Sequence, residues 1–225
     1  QYFTEWSREK HTTPPFPIPE QWKRFRAYDH GRDHPACCLW FALDYDGRVW
    51  VYREYFATGQ NIDQIAQEIN RLSGQEQYQY SIAGRDIFAK TGYVGKWGEE
   101  TGAQTFARHG ITFLPATIRR FDGWNMMHQY LNWNEHQLPK LIFFNTCYNA
   151  IRTIPTLIHD DIKKEDLDTR GEDHAADATR YFLMSLHESK TIPPLTEVEK
   201  KIQKMKEEKF NLDAFYSGKV YRDSF

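Results

Sequence analysis

Two runs, Ala36-Cys37-Cys38-Leu39-Trp40-Phe41-Ala42-Leu43-Asp44 and Arg48-Val49-Trp50-Val51-Tyr52-Arg53-Glu54-Tyr55-Phe56, are joined through Asp46-Gly47. Both are rich in aromatic and β-branched residues, and Asp-Gly between such runs signals a hairpin, because glycine accepts the positive φ of a tight turn. A third strand-like run, residues 24–29, precedes them. The chain is therefore expected to open as an antiparallel meander.

Downstream the pattern changes period. Asn61 can cap a helix carrying Ile62, Ile65, Ala66, Ile69 and Leu72 at helical spacing, with Gly74 placed to end it. Residues 78–83 then read as a strand running into Gly84-Arg85-Asp86, and further strands are expected at residues 111–114 and 141–144. Helical stretches fall at 99–109, 124–131 and 146–157. A meander followed by alternating helix and strand implies an α/β layer architecture, a mixed sheet with helices on its faces.

Composition allows this fold. Of 225 residues, 40% are hydrophobic and 16% aromatic, enough for a sizeable core. A net charge of -2 excludes a broadly basic nucleic-acid binder, so any DNA surface must be a local patch. Cys37, Cys38 and Cys147 form no CxxC motif and indicate neither a disulfide scaffold nor a structural zinc site. With Gln1 in place of a methionine and no apolar run near ~18 residues, the chain reads as a soluble piece of a longer protein with no membrane span.

Three segments are expected. Residues 1–20, with Pro14, Pro15, Pro17 and Pro19 denying helix to its second half, form a linker strap; residues 21–190 form the domain; residues 191–225 form a charged tail dominated by Lys and Glu.

Acidic residues supply the candidate chemistry. Asp29 ends the first strand, Asp86 follows the fourth, and Asp173 heads a late helix in which Asp177 lies one turn on and shares its face. Strand ends on one edge of an α/β sheet converge, so distant carboxylates can meet there. Each acid also has a plainer reading: Asp29 and Asp86 as turn formers, Asp173 as a helix-dipole acid, Asp177 as the partner of Arg180 or Arg170.

The order of these segments resembles the nuclease domain of phage large terminase subunits, in the RNase H-like superfamily. The likeness runs through Arg26-Ala27-Tyr28-Asp29-His30-Gly31, Val51-Tyr52-Arg53-Glu54-Tyr55, Ala83-Gly84-Arg85-Asp86, Leu141-Ile142-Phe143-Phe144 with Cys147, and Glu172-Asp173-His174-Ala175-Ala176-Asp177-Ala178-Thr179-Arg180-Tyr181. It covers most of residues 1–188. Its most specific piece is the opening of the late helix.

The resemblance implies an RNase H-like mixed sheet, an antiparallel meander opening with helices on both faces, and an endonuclease that cuts concatemeric viral DNA during packaging. It implies two Mg²⁺ or Mn²⁺ ions on Asp29, Asp86 and Asp173. Members vary at and beside the third position, so His174 and Asp177 are further metal candidates. Carboxylates suit this task, since two hard cations ~3.5–4 Å apart can stabilise both oxygens of a phosphoryl displacement.

The implied partners are double-stranded DNA, a portal protein, a small terminase subunit and an ATPase domain of the same polypeptide, in the cytoplasm of an infected bacterium. No G-x-x-x-x-G-K-[ST] occurs here to supply that ATPase. For DNA contact the candidates are Lys90, Lys96, Arg119 and Arg120, although isolated basic pairs are commonly just solvated surface. Another nuclease of the same fold, such as a junction resolvase or transposase-like enzyme, and a non-catalytic DNA- or portal-docking module are the competing readings. A cluster of His30, Asp33 and His34 reads more simply as a solvated loop.

Overall fold

In the computed structural model the chain divides into two units, Gln1–Ser189 and Lys190–Phe225. The residues described are 1–31, 35–90, 94–95, 98–168 and 170–187. The charged tail, Lys96, Asp33 and His34 therefore lie outside the described residues.

Elements run in the order α1 (Arg8–His11), β1 (Thr12–Thr13), β2 (Lys23–Asp29), β3 (Ala36–Leu43), β4 (Val49–Ala57), α2 (Ile62–Ser73) and β5 (Tyr80–Ala83). A 3₁₀ turn (Arg85–Phe88) follows, then β6 (Val94–Gly95), β7 (Gly98–Glu99), α3 (Gly102–Arg108), β8 (Phe113–Pro115), α4 (Arg120–Leu131), β9 (Leu141–Phe144), α5 (Tyr148–Thr153) and α6 (His174–His187). Seven strands form one sheet in the order β1-β9-β4-β3-β2-β5-β8, while β6 and β7 pair separately. The central strands β2, β3 and β4 are antiparallel, and β9, β1, β5 and β8 add in parallel on either side.

The hairpin expected at Asp46-Gly47 is present. Gly47 has φ 75°, and Asp44 Oδ1 accepts from the Asp46 and Arg48 amides, which ties the turn into the strand end. Helix α2 carries the expected Asn61 cap, strengthened into a capping box with Gln64.

Strand periodicity sorts β2 between two layers. Arg26 and Tyr28 face α2 and α3: Arg26 Nη1 and Trp40 Nε1 both donate to Ser73 Oγ, and Tyr28 packs against Phe106 and Phe113. Phe25 and Asp29 face α6, where Phe182 packs on Phe25 and stacks on Phe41 at 4.2 Å. Helix α6 is thus seated on the centre of the sheet with its N-terminus over the end of β2. Burying Phe182 and Phe41 contributes on the order of 2 kcal/mol each from apolar area alone.

Helix α4 closes against α6 at a glycine. A Cβ at Gly123 would lie 2.3 Å from Arg180 Cγ, so only glycine permits this approach. Glu54 of β4 accepts from the Asn149 and Ala150 amides and so holds the start of α5.

Residues 1–20 do more than connect. Phe3 is fully buried, β1 pairs with β9, and buried His11 bonds the Leu131 carbonyl at 2.8 Å. The prolines keep the segment extended, and its aromatic residues Tyr2, Phe3 and Trp6 give it apolar surface to bury. All three cysteines are buried and free.

Candidate active site

Strand β2 delivers Asp29 at its C-terminal end, and parallel β5 ends beside it, with Tyr28 in register with Ala83. The 3₁₀ turn after Gly84 then carries Asp86 back toward Asp29. A Cβ on Gly84 would lie 2.8 Å from Asp86 Oδ1, 3.2 Å from Tyr181 Oη and 3.4 Å from Asp29 Oδ1. Two carboxylate oxygens therefore face one small notch that exists because residue 84 has no side chain.

Helix α6 covers the other side. His174 Nδ1 meets Asp29 Oδ2 at 2.7 Å, and Tyr181 Oη donates to Asp29 Oδ1 at 2.9 Å. Asp173, Asp177 and Tyr181 are spaced at i, i+4 and i+8, so one helical face presents them all. Asp177 is buried and its Oδ1 accepts from Arg180 Nε and Nη2 at 2.8 and 2.5 Å. The Arg180 alternative for Asp177 is the one realised, while Arg170 pairs with Asp161 and Asp168.

Burial, and after it like charge, shows in the acidities. Burial lifts the Asp29 pKa to about 6; the His174 hydrogen bond pulls the other way and the charge of Asp177 adds to the rise. Asp173 is lifted to about 7 by burial, then by Asp177 and Asp29. Asp86 is exposed as a residue, yet loss of water around its carboxyl raises it too, against His30 and with Asp177. Burial opposes a charge on His174, but the hydrogen bond to Asp29 and the charges of Asp29, Asp173 and Asp177 outweigh it and raise its pKa. Asp177 thus acts on all three expected metal ligands.

Chemically, the donors are hard oxygens at high negative charge density, the set that suits Mg²⁺ or Mn²⁺. Among the described residues, no group of three or more His, Cys, Asp and Glu already stands in metal-holding geometry. The Asp29–Asp86 notch fits one side of a divalent ion's shell, and a cation there would favour the charged form of two acids that burial, and then the charge of Asp177, raises. Asp173 stands next to a guanidinium.

That guanidinium belongs to Arg120, one of the candidate DNA contacts of the sequence. It turns inward: Nε donates to Asp166 Oδ1 at 3.0 Å, the group lies over the Trp124 ring, and Nη2 is 3.6 Å from Asp173 Oδ2. The reason is tertiary packing. As the first residue of α4 it faces the segment carrying Asp166, and burying its stem over Trp124 satisfies both packing and charge. Arg119 is exposed and pairs with Asp122 at 2.5 Å, and Lys90 is exposed.

Sequence reasoning missed Gly84, Tyr181 and Asp166. The i+8 spacing of Tyr181 from Asp173 was a readable signal; the other two needed the fold.

The chain resembles several solved structures. The large terminase of a thermophilic bacteriophage matches at 17% identity and TM-score 0.66 over 83% of this chain, which spans 44% of that protein. The P22 large terminase nuclease domain matches at 20% identity and TM-score 0.63, over 83% of this chain and 92% of that one. This chain has the fold of a large-terminase nuclease domain. A third relative in structure, the large terminase nuclease of thermophilic phage G20c with bound zinc, aligns at 11% identity and TM-score 0.50 over 80% of this chain and 96% of that one. No protein-family model and no curated protein matches the chain. The α/β architecture expected from the sequence, a mixed sheet opened by an antiparallel meander, is the one observed. No helix among the described residues is long and apolar enough to cross a membrane.

Proposed function

We propose that this chain is a metal-dependent endonuclease that cuts concatemeric viral DNA during genome packaging. The observation that carries the reading is the notch at Gly84, where Asp29 and Asp86 turn oxygens toward one point beneath the acidic face of α6. Likeness to large-terminase nuclease folds supplies the biological setting. A metal requirement is supported by the donor set and by the zinc bound in the G20c nuclease.

Asp29 and Asp86 would hold the first Mg²⁺ or Mn²⁺, and Asp173 would complete a two-ion site, with Asp177 and His174 as further candidates. The ions would supply charge neutralisation for the attacking and leaving oxygens of the phosphodiester. The protein's own part is orientation. Tyr181 and His174 grip opposite oxygens of Asp29, which fixes its carboxylate plane, while Arg180 restrains Asp177. Duplex DNA is the substrate. A portal protein, a small terminase subunit and an ATPase domain of the same polypeptide would be partners in the host cytoplasm.

Incubating the protein with supercoiled plasmid in Mg²⁺, Mn²⁺ or chelator tests this. Nicking and linearisation in either metal and none in chelator is the expected result. Full activity in chelator would reject it.

A further inference from the structure

Arg120 combines three features. Its Nε is satisfied by Asp166 Oδ1, an oxygen that also receives Trp124 Nε1 at 3.1 Å and the Leu167 amide at 2.8 Å. Its guanidinium lies over the Trp124 ring. Its Nη2 is buried, has no hydrogen-bond partner, and stands beside Asp173 at a distance too long for one. The fork is anchored through Nε and the Trp124 ring, and one terminal nitrogen on it has no hydrogen-bond acceptor.

A buried donor without an acceptor is costly, most of all on a charged group. Structures retain such a donor where something else completes it. The setting says what that is. Arg120 is the cation beside an acidic cluster that the nuclease reading assigns to phosphodiester cleavage, and a guanidinium fork matches phosphate oxygens. The segment carrying Asp166 is itself pinned: the Tyr2 amide donates to the Leu157 carbonyl and Tyr2 Oη to that of Glu165. Helix α4 is fixed against α6 at Gly123.

We infer that Arg120 is a phosphate ligand of the active site, its free Nη2 donating to a backbone phosphate of the bound DNA strand, with Asp166 and Trp124 as the residues that position it. The inference rests on the nuclease reading for its substrate. It differs from a surface patch in that one oriented donor, not loose electrostatic attraction, makes the contact.

The test compares the whole chain with its Arg120→Gln, Arg120→Lys and Asp166→Asn variants. Affinity for a 30-base-pair duplex is measured by fluorescence anisotropy in Ca²⁺ across a salt series, Mn²⁺ affinity by electron paramagnetic resonance, and plasmid cleavage in Mg²⁺. Losing one phosphate contact makes the slope of log affinity against log salt shallower by about 0.9. Arg120→Gln is expected to show that change with about tenfold weaker DNA binding, and Mn²⁺ affinity within about twofold of wild type. Arg120→Lys and Asp166→Asn both keep a cation at residue 120, so the slope stays while kcat falls at least about tenfold without a matching rise in KM.

An unchanged slope in Arg120→Gln, or a fall in Mn²⁺ affinity in its place, overturns the inference and makes Arg120 a partner of Asp173 alone. Should Arg120→Gln fail to fold, a wild-type kcat in Arg120→Lys overturns it and the expected fall supports it. The salt slope needs no cleavage. Wild-type protein that binds duplex but never cuts it defeats the nuclease reading while leaving the phosphate contact to be judged by the slope.

Discussion

Two carboxylates near the central sheet stand in opposite electrostatic surroundings. Glu76 accepts from Tyr52 Oη at 2.8 Å, Tyr78 Oη at 2.7 Å and both terminal nitrogens of Arg53 at 3.1 and 2.8 Å. Burial would raise its pKa, but these donors outweigh burial and hold it below the ordinary range. Among the described residues Asp29 accepts from Tyr181 and His174; burial, with the charge of Asp177 added to it, outweighs these donors, so its pKa rises. Where donors outnumber acids, a carboxylate is permanent structure. Where acids outnumber donors, the protein holds repulsion that an external cation can relieve.

The strongest way to break this contrast is Asp29→Asn, which removes ligand charge from a nearly isosteric side chain. Cleavage should fall about a thousandfold, matching the several kcal/mol that a bound cation contributes, with an unchanged circular dichroism spectrum. A wild-type rate would remove Asp29 from the site.

Asp173→Asn and Asp177→Asn sharpen it. Asp173→Asn should lose more cleavage, because one oxygen of Asp177 is already committed to Arg180. Asp177→Asn should lose more stability, about 3 kcal/mol in urea unfolding, since it leaves buried Arg180 without its counter-charge. If Asp177→Asn alone abolished cleavage, the roles of the two acids would be reversed.

At the other carboxylate, Glu76→Gln should cost about 2 kcal/mol, for it breaks a charge-assisted pair with Arg53 yet keeps an acceptor for the tyrosines. Plasmid cleavage should stay at the wild-type rate. Loss of cleavage without loss of stability would show the two regions to be coupled.

The smallest effect is in pH. Asp29 and Asp173 have folded-state pKa values near 6 and 7, above the ordinary 3.8, so between about pH 4 and 7 the folded state binds more protons than the unfolded. The stability these two acids contribute therefore falls as pH rises through that window and is fully present only below it. In chelator the melting temperature should drop on the order of 5 °C from this source between pH 5 and pH 8, and Mg²⁺ should restore more of it at pH 8 than at pH 5. A rise in melting temperature through the window in chelator would contradict the acidities.

Much of the fold was legible because its signals are local. The hairpin at Asp46-Gly47, the cap at Asn61 and the aromatic runs of β2 to β4 each follow from turn chemistry, capping or side-chain periodicity. Residues 1–20 read as a strap because prolines announce only what the backbone cannot do. Their aromatic side chains dock through contacts far along the chain, as Tyr2 does with Leu157 and Glu165.

At the site, the sequence by itself determined which residues could carry the chemistry: Asp29 at a strand end, Asp86 after a strand, and Asp173 and Asp177 on one helical face. Only the tertiary structure decided how they meet. Parallel pairing of β2 with β5 brings Asp86 to Asp29 across Gly84, the seat of α6 turns His174 onto Asp29, and the close approach of α4 at Gly123 turns Arg120 inward. Periodicity fixes which way a side chain points from its own element; which charges then face one another depends on strand pairing and helix packing between residues distant in sequence, and no local pattern encodes that.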